Sequence, residues 1–208
     1  MRYRITFSKT DLMRFTSHLD LQRAWERTLR RAGLPLAYSQ GFSPHPRINL
    51  ASALPLGFSG ENELLDAWLE QPLPVEEIQA ALEKASPPGM QIQRVEVVDE
   101  RAPALQTQVE ASEYLITFLE SLPDLDIHLD DLLSASSLPR SWRGKSYDLR
   151  PLVWELRRLP DDEGGCQRLY ARLQAREGAT ARPEEVISAL GADPADCHVH
   201  RQGLTFRA

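Results

Sequence analysis

Ser17-His18-Leu19-Asp20-Leu21-Gln22-Arg23-Ala24-Trp25-Glu26-Arg27-Thr28-Leu29-Arg30-Arg31-Ala32-Gly33 opens a stretch that runs on through Leu34-Pro35-Leu36-Ala37-Tyr38. It closes as Ser39-Gln40-Gly41-Phe42-Ser43-Pro44-His45-Pro46-Arg47. At about 100° per residue, Leu21, Trp25, Thr28, Leu29 and Ala32 share one side, and Arg23, Arg27, Arg30 and Arg31 the other. That spacing predicts an amphipathic helix with one face for a core and a cationic face for solvent. Ser17 can cap its first turn, where Asp20 meets the positive end of the helix dipole. Gly33 followed by Leu34-Pro35 stops it. Glu26 and Arg30, four apart, are spaced for an intrahelical ion pair.

Outward from the helix, residues 2–7 alternate, with Tyr3, Ile5 and Phe7 facing a core and Arg2, Arg4 and Thr6 facing away, the pattern of a half-buried strand. Strands are expected over residues 48–54, 62–69 and 90–98. A second helix carries its stripe on Val75, Ile78, Leu82 and Ala85. The order β-α-β-β-α-β is the split-βαβ, or ferredoxin-like, arrangement. Residues 99–108 lack apolar periodicity and mark a boundary. Beyond it, strands at 112–119, 152–159, 166–173 and 197–206 and helices at 126–135 and from Pro183 repeat the order. A polar edge strand or hairpin arm is expected over residues 139–148. The fold expected is α+β, two tandem ferredoxin-like (βαββαβ) subdomains over 1–99 and 109–208.

Two isolated cysteines in 208 residues form neither a disulfide framework nor a zinc motif. No apolar run approaches the ~20 residues of a membrane span, and Met1-Arg2-Tyr3-Arg4 does not open a signal peptide, so no membrane partner and a cytoplasmic setting are expected. Residues 1–60 hold nine Lys/Arg against Asp11, Asp20 and Glu26, whereas the remainder has 15 basic and 27 acidic residues. The net charge of −6 therefore conceals a positive first segment, the footprint of an anion-binding surface.

The loop after the helix sharpens that expectation. Pro44 and Pro46 hold the chain extended around His45, and Gly41 permits backbone closed to other residues. Tyr38 and Phe42 offer flat stacking surfaces beside His45 and Arg47. Single-stranded nucleic acid uses that pairing, because bases stack on aromatics while guanidinium groups meet phosphates. The nucleic-acid-binding set expected is Arg14, Arg23, Arg27, Arg30, Tyr38, Gly41, Phe42, His45 and Arg47.

Two histidines admit a catalytic alternative, a metal-independent endoribonuclease. In it His18 and His45 would share the proton transfers of 2′-hydroxyl attack. The analogy, of fold alone, is with CRISPR RNA-processing nucleases built from paired ferredoxin-like domains. No Walker loop, dinucleotide fingerprint or nucleophile elbow is present, and His128, His198 and His200 stand at no metal-ligand spacing, so neither cofactor nor metal is expected. A second basic-aromatic run, residues 140–150, is expected to pack Trp142. Asp124, Asp126, Asp130, Asp131 and the Asp161-Asp162-Glu163 turn read as solvated charge.

Arg14-Phe15, Ser17-His18-Leu19-Asp20-Leu21, Leu29-Arg30-Arg31-Ala32-Gly33-Leu34-Pro35, Tyr38-Ser39-Gln40-Gly41-Phe42-Ser43-Pro44-His45-Pro46 and Ala53-Leu54-Pro55-Leu56-Gly57 resemble the radical-SAM-linked protein family. Asp148-Leu149-Arg150-Pro151 and Arg182-Pro183-Glu184-Glu185-Val186 continue the likeness. This bacterial domain of unknown function occurs free or fused behind a cobalamin-binding radical SAM protein. The resemblance implies a radical SAM protein as partner, carrying the iron–sulfur cluster itself, and work in RNA modification or metabolism. The expectation is a non-catalytic accessory module that holds RNA for that partner. A protein-docking subunit, whose arginine face meets an acidic surface of the partner, is the other possibility.

Overall fold

A computed structural model describes residues 1–142, 144–176 and 178–207, the side chain of Trp142 excepted. The expected packing of Trp142 and the place of Arg143 in the basic run lie outside the described residues. The architecture is mixed α+β, mostly sheet, and the chain divides into two compact units, Met1–Val109 and Glu110–Ala208. Among the described residues no helix is long and apolar enough to cross a membrane.

The first unit contains β1 (Arg2–Lys9), α1 (His18–Arg31), β2 (Ile48–Leu50), β3 (Ser59–Trp68), α2 (Val75–Ala85), β4 (Met90–Val98) and the short α3 (Leu105–Gln108). β1 lies between β3 and β4, antiparallel to both, and β2 pairs antiparallel with β3, giving the order β4-β1-β3-β2. Tyr3, Ile5 and Phe7 project with Leu65 and Ala67 into a core completed by Leu21, Trp25 and Leu29 of α1 and Ile78 and Leu82 of α2. Trp25 meets Phe7 edge to face at 4.8 Å, a geometry that adds to the area both rings bury.

The other side of this sheet corrects the alternation reading. Arg2, expected outward, is 1% exposed, and its guanidinium bonds Asp66 Oδ2 through Nε at 2.9 Å and the carbonyls of Ala102 and Pro103 at 2.7 and 2.9 Å. Arg4 bonds the same carboxylate at 2.9 and 3.1 Å. Residues 102 and 103 thus cap the sheet face from the segment expected to mark a boundary, which also contains α3. The predicted strand 48–54 shortens to Ile48–Leu50, while β3 starts earlier than residue 62. There the backbone of Asn62 turns left-handed (φ 53°), and the β1–β3 register shifts between Phe7 and Lys9, as at a bulge.

The second unit holds β5 (Val109–Phe118), α4 (Leu125–Ser134), β6 (Pro139–Trp142), β7 (Lys145–Asp148), β8 (Val153–Leu159), β9 (Arg168–Arg176), β10 (Ala179–Thr180), α5 (Pro183–Ala189) and β11 (Cys197–Phe206). β5 sits between β11 and β9, and β9 also pairs with β8 and β10. Leu125, Leu129 and Leu132 of α4 and Val186 and Ile187 of α5 are buried, so each helix contributes one apolar face. Residues 139–148 form a separate two-stranded hairpin, β6 with β7. β11 runs unbroken through Gln202-Gly203. The turn acids are not merely solvated: Asp161 pairs with Arg158 at 2.5 Å, and Asp162 Oδ1 accepts from the amides of Gly164 and Cys166 at 2.9 Å each.

Candidate nucleic-acid interface

The cationic helix is built from its caps inward. Ser17 Oγ accepts from the Asp20 amide at 3.2 Å and donates to Asp20 Oδ2 at 2.8 Å. That hydroxyl, with Arg23 at 3.1 Å as second cause, holds the Asp20 carboxyl below its ordinary pKa. Leu21, Trp25, Thr28 and Leu29 are buried, which forces Arg23, Arg27 and Arg30 into solvent. Arg23 is engaged by Asp20. Arg27 and Arg30 make no ion pair among the described residues, and the expected Glu26–Arg30 pair does not form. Arg31 turns away and donates to the Ala85 carbonyl at the end of α2. Gly33 closes the helix at φ +70°, where a Cβ would be strained.

Arg14 stands ahead of the helix with its guanidinium 4.7 Å from the ring of Phe15, itself 71% exposed. Lys9, fully buried in β1, braces this corner by donating Nζ to the carbonyls of Thr16 at 2.9 Å and Arg14 at 3.2 Å. A lysine buried in a strand carries no sequence signal, and its role emerges only from the turn folded over it.

The Gly/Pro loop is a closed hairpin tip. Ala37 and Arg47 bond across its base (2.8 Å), the Ser39 amide donates to the His45 carbonyl (2.9 Å) and the His45 amide donates to Ser39 Oγ (3.0 Å). Tyr38 bridges Pro46. Below, the Trp68 amide donates to the Arg47 carbonyl at 3.0 Å and the Trp68 carbonyl accepts from Ala37 at 2.8 Å, so β3 carries the loop. Gly41 has φ +132°, and Phe42 beside it is 109% exposed. The Arg47 guanidinium lies 4.9 Å from the Trp68 ring and that of Arg2 5.2 Å from it, a cation–π platform in which the sequence reading had no place for Trp68. The His45 imidazole is exposed, with no hydrogen bond among the described residues.

His18 lines a cleft of about 300 Å³ together with Gln22 one turn later on α1, Asn49 and neighbouring residues of β2, and Gln106 of α3. His45 does not line it. No hydrogen bond, ion pair or ring contact joins Arg23, Arg27 or Arg30 to Tyr38, Phe42, His45 or Arg47 among the described residues. The two groups are linked instead through β2, which starts at Ile48 directly after Arg47 and reaches the cleft beside α1. Gln22, Asn49 and Gln106 went unsuspected because neutral amides far apart in sequence leave no charge or spacing pattern.

In the second unit, Lys145, Ser146 and Tyr147 of the hairpin face Thr180 and Arg182 across a pocket of about 490 Å³. Burial, then the nearby Glu185, raises the Tyr147 pKa. Among the described residues no cluster of histidine, cysteine and carboxylate side chains could hold a metal ion. His198 and His200 lie in β11.

A family model described as "uncharacterized protein conserved in bacteria (DUF2344)" matches residues 2–183, spanning both units, and the chain belongs to this family. No curated protein matches the chain.

Proposed function

Taking that bacterial family as the premise, we propose that the chain is an RNA-binding accessory module whose α1 face and Gly/Pro loop hold single-stranded or unstacked RNA. The observation that carries this reading is Phe42, entirely in solvent at the tip of a loop whose base is tied by backbone hydrogen bonds. Folding gives no reason to display that ring on a braced tip, whereas a stacking platform requires both features. Arg27 and Arg30, exposed and without an ion pair among the described residues, and Arg23 supply phosphate-binding charge, and Arg14 with Phe15 repeats the cation-aromatic pairing at the head of α1.

Both units are further proposed to be ferredoxin-like (βαββαβ). The support is the order β4-β1-β3-β2 in the first and β11-β5-β9-β8 in the second, with β6–β7 and β10 as additions. A radical SAM protein as the partner that receives the RNA rests on the sequence resemblance.

Fluorescence anisotropy with labelled single-stranded RNA over a salt series tests the binding. The Arg23→Gln/Arg27→Gln/Arg30→Gln variant should weaken affinity and lower the salt slope by about 0.7 for each phosphate contact removed. Phe42→Ala should weaken affinity with the slope unchanged, because stacking releases no counterions. Identical isotherms for wild type and both variants would dispose of the reading.

A further inference from the structure

We infer that the His18 cleft is a reading pocket for a single unstacked base of the bound RNA, a proposal that rests on the RNA-binding reading. The cleft is polar without fixed charge. No arginine, lysine, aspartate or glutamate lines it, so it offers neither a cationic seat for phosphate nor a carboxylate for a divalent cation. Its ligand must therefore be a neutral group rich in hydrogen-bond donors and acceptors.

The carboxamides of Gln22, Asn49 and Gln106 arrive from α1, β2 and α3, and none makes a side-chain hydrogen bond among the described residues. Each presents one acceptor and a two-proton donor. Three such groups in one cleft match the mixed donor and acceptor edge of a nucleobase, which glutamine and asparagine read in pairs. Ile48, Leu50 and Ala51 add apolar wall for the faces of a heterocycle. At about 300 Å³ the space is at the small end of ligand pockets, sized for one base and closed to a duplex.

The location matches the work. Gln22 precedes Arg23 on α1, and Ile48 follows Arg47, so both sides of the cleft continue directly into the cationic elements proposed to grip the backbone. Phosphate contacts set where the strand lies, and contacts to base edges set which sequence is held.

Binding of four labelled 12-nucleotide homopolymers (A, C, G and U) to the full chain tests this. Wild type should prefer one by about tenfold or more. Gln22→Ala/Asn49→Ala should erase that preference while keeping the salt slope. Gln106→Ala, on an exposed side chain, should diminish it and decides the matter if the double variant does not fold. Equal binding of all four by wild type, or a preference untouched by the variants, overturns the reading pocket and leaves RNA binding standing. Binding of none of the four at low salt overturns both together.

Discussion

The Arg2 guanidinium and the Asp66 carboxylate face one another across β1 and β3 with almost no access to solvent, joined through Nε at 2.9 Å and Nη2 at 2.5 Å. Asp66 is also the acceptor for Arg4, so one carboxylate is shared by two guanidiniums on a single sheet face. Replacing it strands at least one buried cation. Asp66→Ala should lower stability by about 3–5 kcal/mol, read as a fall in the urea midpoint. Arg4→Gln should cost much less, because Arg4 keeps contact with water. Equal losses from both would show that the pair is not what holds this face.

Trp25 is fully buried against Phe7, yet its indole Nε1 finds no acceptor among the described residues. Trp25→Ala should destabilise the protein by about 3–5 kcal/mol through the cavity left behind. Trp25→Phe loses volume but also removes an unsatisfied donor, so it should cost less than about 2 kcal/mol. Thermal or urea unfolding of both variants checks the ordering.

How much of this was legible depended on whether the cause was local. The ends of α1 follow from Ser17, Gly33 and the arginine spacing, all within a few residues of the element they bound. The burial of Arg2 is a tertiary event, produced by residues 102 and 103 laid over the sheet, and alternation alone gave it to solvent. The loop residues stood out because glycine, proline and aromatics cluster in nine positions. The cleft escaped notice because Gln22, Asn49 and Gln106 become neighbours only when α1, β2 and α3 pack together.

Glu184, in the first turn of α5, is half-buried with Oε2 lacking a hydrogen-bond partner among the described residues. Burial raises its pKa, against smaller downward pulls from its own backbone amide and from Arg182. The folded state therefore keeps this proton at pH values where the unfolded chain has released it. Stability from this group is present below the ordinary carboxylate pKa and is lost as pH rises through the window up to the raised value. Glu184→Gln should flatten that decline and raise the denaturation midpoint near neutral pH. An unchanged pH profile would remove Glu184 as its source.

Cys197 sits at the start of β11 with its Sγ 3.7 Å from the Asp193 carbonyl. Burial, followed by Asp196 and Asp193, pushes its thiol up to about 12. Because the thiolate is the reactive form, iodoacetamide at about pH 8 should label Cys197 at least about tenfold more slowly than the half-buried Cys166. Peptide mass spectrometry of a time course reads the two sites separately, and equal rates would contradict the burial described for Cys197.

The base of the β6–β7 hairpin is stapled. Asp148 Oδ1 accepts from the amides of Leu138 at 2.7 Å and Arg150 at 3.0 Å, and the Leu149 amide donates to the Leu138 carbonyl at 2.9 Å. Entry and exit of this excursion are thereby locked together at its base, while Arg140 reaches Glu185 of α5 at 3.7 Å and Tyr147 faces Arg182 across the pocket. A change in this arm is therefore felt in two places, and the insertion the fold should accept is one that spares Asp148 at the base and Arg140 and Tyr147 on the side turned to α5.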